Sequence, residues 1–228
     1  MNDDTWALEN FAGTARLFPL PNIVMFPHVV QPLHIFEPRY REMTADALAG
    51  DNLIAMALLH PDWEAEQKGQ PAIHPIVCLG RIIAHQVLED GRYLLLLRGL
   101  TRARVVKELP SDHAYRTAHL ELIPDVLTLS LKETQRIRQQ LADLILPRFS
   151  GSDEDKQRLM ELFEGEMPLG PLTDCLCFQL PLTVVRKQAL LEEPDVGMRA
   201  RTLVEALESF TPETGGVPRK FPPEFSPN

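Results

Sequence analysis

The chain has 228 residues, 44% of them hydrophobic and 24% charged. That balance excludes a wholly disordered protein and allows one large domain or two small ones with a real core. Its 23 basic residues stand against 32 acidic ones, a net charge of −9, which is the wrong sign for a protein whose main task is gripping a phosphate backbone.

The acid is unevenly placed: residues 125–210 hold 15 acidic residues against 10 basic ones. The longest uninterrupted apolar run is the seven residues Leu53 to Leu59, far short of the roughly 18 a membrane span needs. The opening Met1-Asn2-Asp3-Asp4 puts acid where a signal peptide needs base. Three cysteines, Cys78, Cys175 and Cys177, are an odd count and too few for a disulfide framework. They fit reduced thiols, so the expected location is the cytoplasm, with no membrane.

In chain order, Pro19, Pro21, Pro27, Pro32 and Pro38 lie among β-formers, so residues 17–38 read as short extended pieces with sharp corners. Residues 39–50 turn helical, with Tyr40, Met43, Ala47 and Leu48 on one face and Gly50 placed as the C-cap. Leu53–Leu59 reads as a buried strand and 60–75 as a polar loop carrying Trp63. Strand signals resume at Ile76. Runs at 81–88 and 93–98 flank Asp90-Gly91, a pair that predicts a type I′ hairpin with both turn residues at positive φ. Further strands follow at 101–107 and 115–123, a spacing that suggests a barrel or sandwich.

From Ser130 the apolar period becomes helical. Helices are predicted over 131–146, 153–163, 171–178, 182–191 and 196–210. The tail 211–228 holds five prolines and two glycines and is expected to be disordered.

Several stretches carry a family resemblance. Leu17-Phe18-Pro19-Leu20-Pro21, Met25-Phe26-Pro27-His28 and Pro32-Leu33-His34-Ile35-Phe36-Glu37-Pro38-Arg39-Tyr40 resemble the opening of the Lon protease N-terminal, substrate-binding domain. Ile76-Val77-Cys78-Leu79-Gly80-Arg81-Ile82, Leu88-Glu89-Asp90-Gly91-Arg92-Tyr93 and Gly99-Leu100-Thr101-Arg102-Ala103-Arg104-Val105 are similar to its later signatures. The match runs from about 17 to 207 and includes Leu190 to Val196. It implies an α+β fold, a PUA-like β-barrel followed by a C-terminal helical bundle. On this reading the chain divides into an extension 1–16, the barrel 17–128, the bundle 129–210 and the tail 211–228. No lysine follows a glycine, so the P-loop pattern is absent. The expectation is a stand-alone form of that domain, without ATPase or peptidase modules.

Other chemistry is weighed against plainer readings. His34 and Glu37, with His28 nearby, have helical ligand spacing, but in an extended segment 34 and 37 point to opposite faces. Cys175 and Cys177 on a helix lie about 200° apart. Neither pair suits a metal, so no cofactor or metal is expected. Serines and histidines show no nucleophile-elbow pattern, and Cys78 sits in an apolar strand where cysteine acts as a small hydrophobe. No enzyme activity is expected.

Arg98, Arg102, Arg104 and Lys107 are the one basic cluster. Arg102 and Arg104 lie two apart on one strand face, which keeps RNA binding by a PUA-like barrel as the alternative. Pairing of these arginines with acids such as Asp153–Asp155 is preferred to it. Glu37 is expected to cap the helix after Pro38, with Tyr40 packed inward, although this corner also suits a peptide-contacting surface.

The resulting expectation is a non-catalytic module that binds exposed apolar or unfolded protein segments. It would bury side chains in a groove between barrel and bundle or add a strand to an open edge, and it would work with a protease or chaperone. Candidate contact residues are Phe26, His28, Phe36, Glu37, Arg39 and Trp63, the last because tryptophan is enriched at binding hot spots.

Overall fold

The computed structural model describes residues 3–61, 70–149 and 151–209. Trp63 and the tail 211–228 lie outside the described residues. In chain order the elements are α1 (Asp3–Glu9), β1 (Thr14–Leu20), β2 (Val30–Ile35), α2 (Pro38–Ala49), β3 (Leu53–Leu58), β4 (Ile76–Val87), β5 (Tyr93–Leu109) and β6 (Arg116–Ile123), then α3 (Leu131–Ile145), α4 (Asp153–Glu164), α5 (Leu169–Gln179), α6 (Val184–Glu192) and α7 (Val196–Glu208). Two compact units result. One holds the chain up to Pro124 together with Thr183–Glu192; the other holds Asp125–Leu182 and the chain from Glu193 onward.

In the first unit β1 pairs parallel with β3 and antiparallel with β6. β3–β4, β4–β5 and β5–β6 are antiparallel, so β5-β4-β3-β1-β6 closes on itself. This is the β-barrel, followed by helices, that the resemblance implied. Its interior takes alternate residues of each strand: Leu17, Leu53 and Ala55, Val77 and Leu79, Ala103, and Ala118 and Leu120, all buried. The alanines fit a narrow ring, where only some positions have room for a branched chain.

The opposite faces of β1, β3 and β4 are also covered, which is why Leu53–Leu58 is apolar at every position. Tyr40 of α2 packs on Phe18 of β1 with ring centroids 4.5 Å apart, as expected for an inward Tyr40. Over β4 lies α6, whose buried Gln188 donates to the Ile76 carbonyl at 2.9 Å.

The 17-residue β5 joins what read as two strands. Its first half pairs with β2 and its second half with β6. Gly99 and Gly80 face each other across β4–β5 beside a register shift. Glycine is required at 99, because a Cβ there would lie 2.1 Å from the Phe26 carbonyl oxygen.

One turn differs from expectation. Between β4 and β5 the Gly91 N–H donates to Leu88 O and the Leu88 N–H to Arg92 O. Gly91 has φ +80°, and Asp90 is not at positive φ. This is a longer turn with one left-handed residue rather than type I′. Asp90 instead accepts from the Arg92 backbone at 3.1 Å and from its Nε at 2.6 Å, an alternative that a two-residue turn would not offer. After α2, Gly50 is the C-cap, as expected, its N–H donating to Ala47 O, and the left-handed residue comes two positions on at Asn52, φ +61°.

The second unit is helical. Ser130 and Ser152 open α3 and α4 with reciprocal capping bonds to Glu133 and Asp155, and Asp195 accepts from Met198 N at 2.9 Å to open α7. Arg199 of α7 is fully buried. It lies 3.1 Å from the equally buried Asp174 and donates to Asp125 at 2.6 Å.

Candidate functional site

Beyond the closed ring, β2, the first half of β5 and the end of β4 form a three-stranded ribbon. Their register sets Val30 beside Arg98 and Arg81, Pro32 beside Leu96 and Ala84, and His34 beside Leu94 and Gln86. Side chains alternate along each strand, so these rows share one face. Leu33, Ile35, Leu95 and Leu97 turn the other way and are buried. The outward face is unusually apolar for solvent: Val30 is 39% exposed, Phe36 38% and Leu96 38%, with Pro32 and Ala84 also exposed. Ile83 is exposed at the β4 bulge.

The ribbon has two margins. Pro32 sits within β2 and removes a donor from that edge. On the other side β3 pairs with β4 only as far as Arg81. Among the described residues no strand pairs the far side of 84–87, where every residue is exposed. This stretch offers backbone donors and acceptors to an added strand.

The sequence candidates fall at different places on this ribbon. Phe36, Glu37 and Arg39 come together where β2 meets α2. Phe36 follows His34 on the apolar face, their rings 6.0 Å apart and tilted. Glu37 occupies the N-cap position of α2 without donating or accepting a side-chain cap bond, so the expected carboxylate cap is corrected. Its carboxylate instead accepts from Arg39 Nε at 2.9 Å, a charge-assisted pairing stronger than a neutral one. Arg39 also lies 4.5 Å over the Tyr40 ring. Burial pushes the Tyr40 phenol above its ordinary value, with Arg39 opposing, and its hydroxyl donates to Pro19 O at 3.3 Å.

His28 lies before the opposite end of β2, roughly 20 Å of extended chain away. It is exposed at φ +66°, with its N–H donating to Gly99 O. Phe26 is fully buried, so it supports this loop from beneath and has no surface to offer. Val30, Ile83 and Leu96 escaped the sequence reading. Their signal was present in the outward parity of apolar residues, but it needed the β2–β5–β4 register to be visible.

The fold divides the basic cluster. Arg102 is 1% exposed, and its Nε donates to the Leu191 carbonyl of α6 at 2.9 Å. Arg98 pairs with Asp4 of α1 at 3.1 Å, not with Asp153–Asp155 as expected, since those acids open α4. Arg104 is exposed opposite Glu121, and Lys107 is exposed. Among the described residues no helix is long and apolar enough to cross a membrane.

Comparison with known proteins adds to this geometry. Residues 14–209 match the family model described as the ATP-dependent protease La (LON) substrate-binding domain. Among similar curated proteins, Lon protease 2 of Myxococcus xanthus is 26% identical over 87% of this chain and 24% of its own length. Lon protease 2 of Desulfotalea psychrophila is 28% identical over 84% of this chain and 24% of its own. The chain thus spans about a quarter of the length of these relatives.

Two solved structures share the fold. A Lon N-terminal domain protein from Xanthomonas campestris superposes with TM-score 0.61 at 24% identity, over 84% of this chain and 97% of that one. The N-terminal domain of a Mycobacterium avium complex Lon protease gives TM-score 0.68 at 16% identity, over 87% of this chain and 100% of that one.

Proposed function

This chain belongs to the LON substrate-binding domain family, a non-catalytic module for substrate recognition, and from that premise we propose that it captures exposed apolar stretches of unfolded protein on the outward β2–β5–β4 face. The observation that carries this is the row Val30, Pro32, Phe36 and Leu96, apolar and open to solvent on the ribbon. An extended client lies along it, its backbone adding to the free margin of β4 and its apolar side chains resting on Leu96 and Phe36. The Glu37–Arg39 pair forms a polar rim at one end and His28 marks the other. Trp63, outside the described residues, remains a proposed anchor. The client then passes to a protease or chaperone in the cytoplasm, and the chain itself neither hydrolyses ATP nor cuts peptide bonds.

A face that accepts many segments is not shaped for any one, so affinity is expected on the order of micromolar or weaker. The RNA alternative has lost its central residue with Arg102 buried. The test is fluorescence anisotropy of a labelled, permanently unfolded protein titrated with the chain at about 50 and 200 mM salt. Capture is expected to change little with salt, whereas binding through several phosphate contacts falls by orders of magnitude. Leu96→Asp and Phe36→Ala should each weaken capture at least about fivefold, the size of a hot-spot loss. Unchanged capture by both variants would sink the proposed face.

A further inference from the structure

We propose that Glu42, Asp46 and His113 form a binding site for a divalent transition-metal ion of the zinc type, distinct from the client-binding face. Glu42 and Asp46 are four residues apart on α2, hence neighbours on one helix face. His113 comes from the turn between β5 and β6, far along the chain. Its Nδ1 lies 2.9 Å from Glu42 Oε1 and 3.5 Å from Asp46 Oδ2, and one donor atom from each residue falls within 4.8 Å of the others.

Donors about 2.1 Å from a tetrahedral zinc stand roughly 3.4 Å from one another, so the observed separations bracket what the ion requires and small side-chain rotations suffice. An imidazole nitrogen can share one proton with only one carboxylate, yet two carboxylates converge on this one. A cation in place of that proton satisfies all three. The mixed nitrogen and oxygen set favours zinc-like ions over magnesium or calcium, which prefer all-oxygen shells.

The surrounding contacts hold the donors in position. Tyr115 donates its hydroxyl to Asp46 Oδ2 at 2.7 Å, and its ring stacks on His113 with centroids 4.8 Å apart. That hydrogen bond is the outer-shell contact that orients a ligating carboxylate. The His113 backbone N–H donates to Ser111 Oγ at 3.1 Å. Arg16 is engaged with Asp51 at 2.7 Å and with the Asp46 backbone carbonyl at 3.0 Å. His113 and Tyr115 also border an open cleft of about 500 Å³. Bound by Glu42, Asp46 and His113, the ion clips the β5–β6 turn to α2.

The experiment titrates chelator-treated full chain with zinc chloride by calorimetry, on a Cys175→Ala/Cys177→Ala background that removes thiol binding. One equivalent should bind, at least tenfold more weakly in His113→Ala and Glu42→Gln, while the metal-free melting temperatures of both variants match the parent. Tyr115→Phe keeps the ligands and loses the outer-shell bond, and should weaken zinc by roughly 10-fold or more. Magnesium chloride should not compete. Absence of one-equivalent binding, or zinc affinity unchanged by His113→Ala and Glu42→Gln, overturns the site.

Discussion

Replacing Arg102 by alanine tests whether α6, reached some ninety residues later in the chain, is integral to the barrel unit. The guanidinium is buried and donates to Leu191 O at 2.9 Å. Its loss deprives a buried acceptor of that partner, costing about 1–3 kcal/mol, and vacates the space of a large side chain, which adds a cavity cost. Together these give a loss of about 3–5 kcal/mol, the range for truncating a large buried side chain.

For a folded unit of this size 1 kcal/mol moves the melting temperature about 2–4 °C, so Arg102→Ala should melt roughly 6–20 °C lower. Arg102→Met retains much of the volume and loses only the donor, and should cost about 1–3 kcal/mol. The internal control is Arg104→Ala, two residues along the same strand face but exposed, where a change within about 0.5 kcal/mol is expected. Circular dichroism melts and urea titrations read all three. Equal stability of Arg102→Ala and Arg104→Ala would refute the reasoning, since it would mean that α6 covers Arg102 without depending on it.

Gly99→Ala places a Cβ 2.1 Å from the Phe26 carbonyl oxygen, and because backbone cannot yield as a flexible side chain can, a loss of about 1–3 kcal/mol or more is expected in the same urea titration. Tyr115 should ionise near pH 12 rather than 10, followed as phenolate absorbance against a Tyr115→Phe control. Its raised folded value means that its contribution to stability is complete below pH 10 and lost as pH rises through about 12. Asp46→Asn should bring the phenol back toward its ordinary value, and ionisation near 10 in the parent would contradict the Tyr115–Asp46 bond.

Where neighbours along the chain decide the outcome, the sequence was enough. Pro38, with its fixed φ, starts α2, the continuous apolar run 53–58 is a strand buried on both faces, and Ser130 with Glu133 opens α3. The order of barrel then helices followed from motifs spread along the chain, and the family model confirms the membership they implied. Local competition accounts for what failed nearby: the Glu37 carboxylate was taken by Arg39 rather than the helix end, and Asp90 by Arg92.

Strand register and helix placement lie beyond such reading, because they depend on contacts between residues distant in sequence. Parity puts Arg102 and Arg104 on one face, yet only the docking of α6 makes the first a buried donor and leaves the second in water. Phe26 looked like a surface aromatic until Gly99 closed against its carbonyl. The apolar row of Val30, Pro32 and Leu96 exists only once β2 and β5 are paired in register, since each residue alone is an ordinary exposed hydrophobe. The Glu42–Asp46–His113 cluster likewise forms only when the β5–β6 turn meets α2, an encounter set by closure of the barrel and not by any periodicity in the chain.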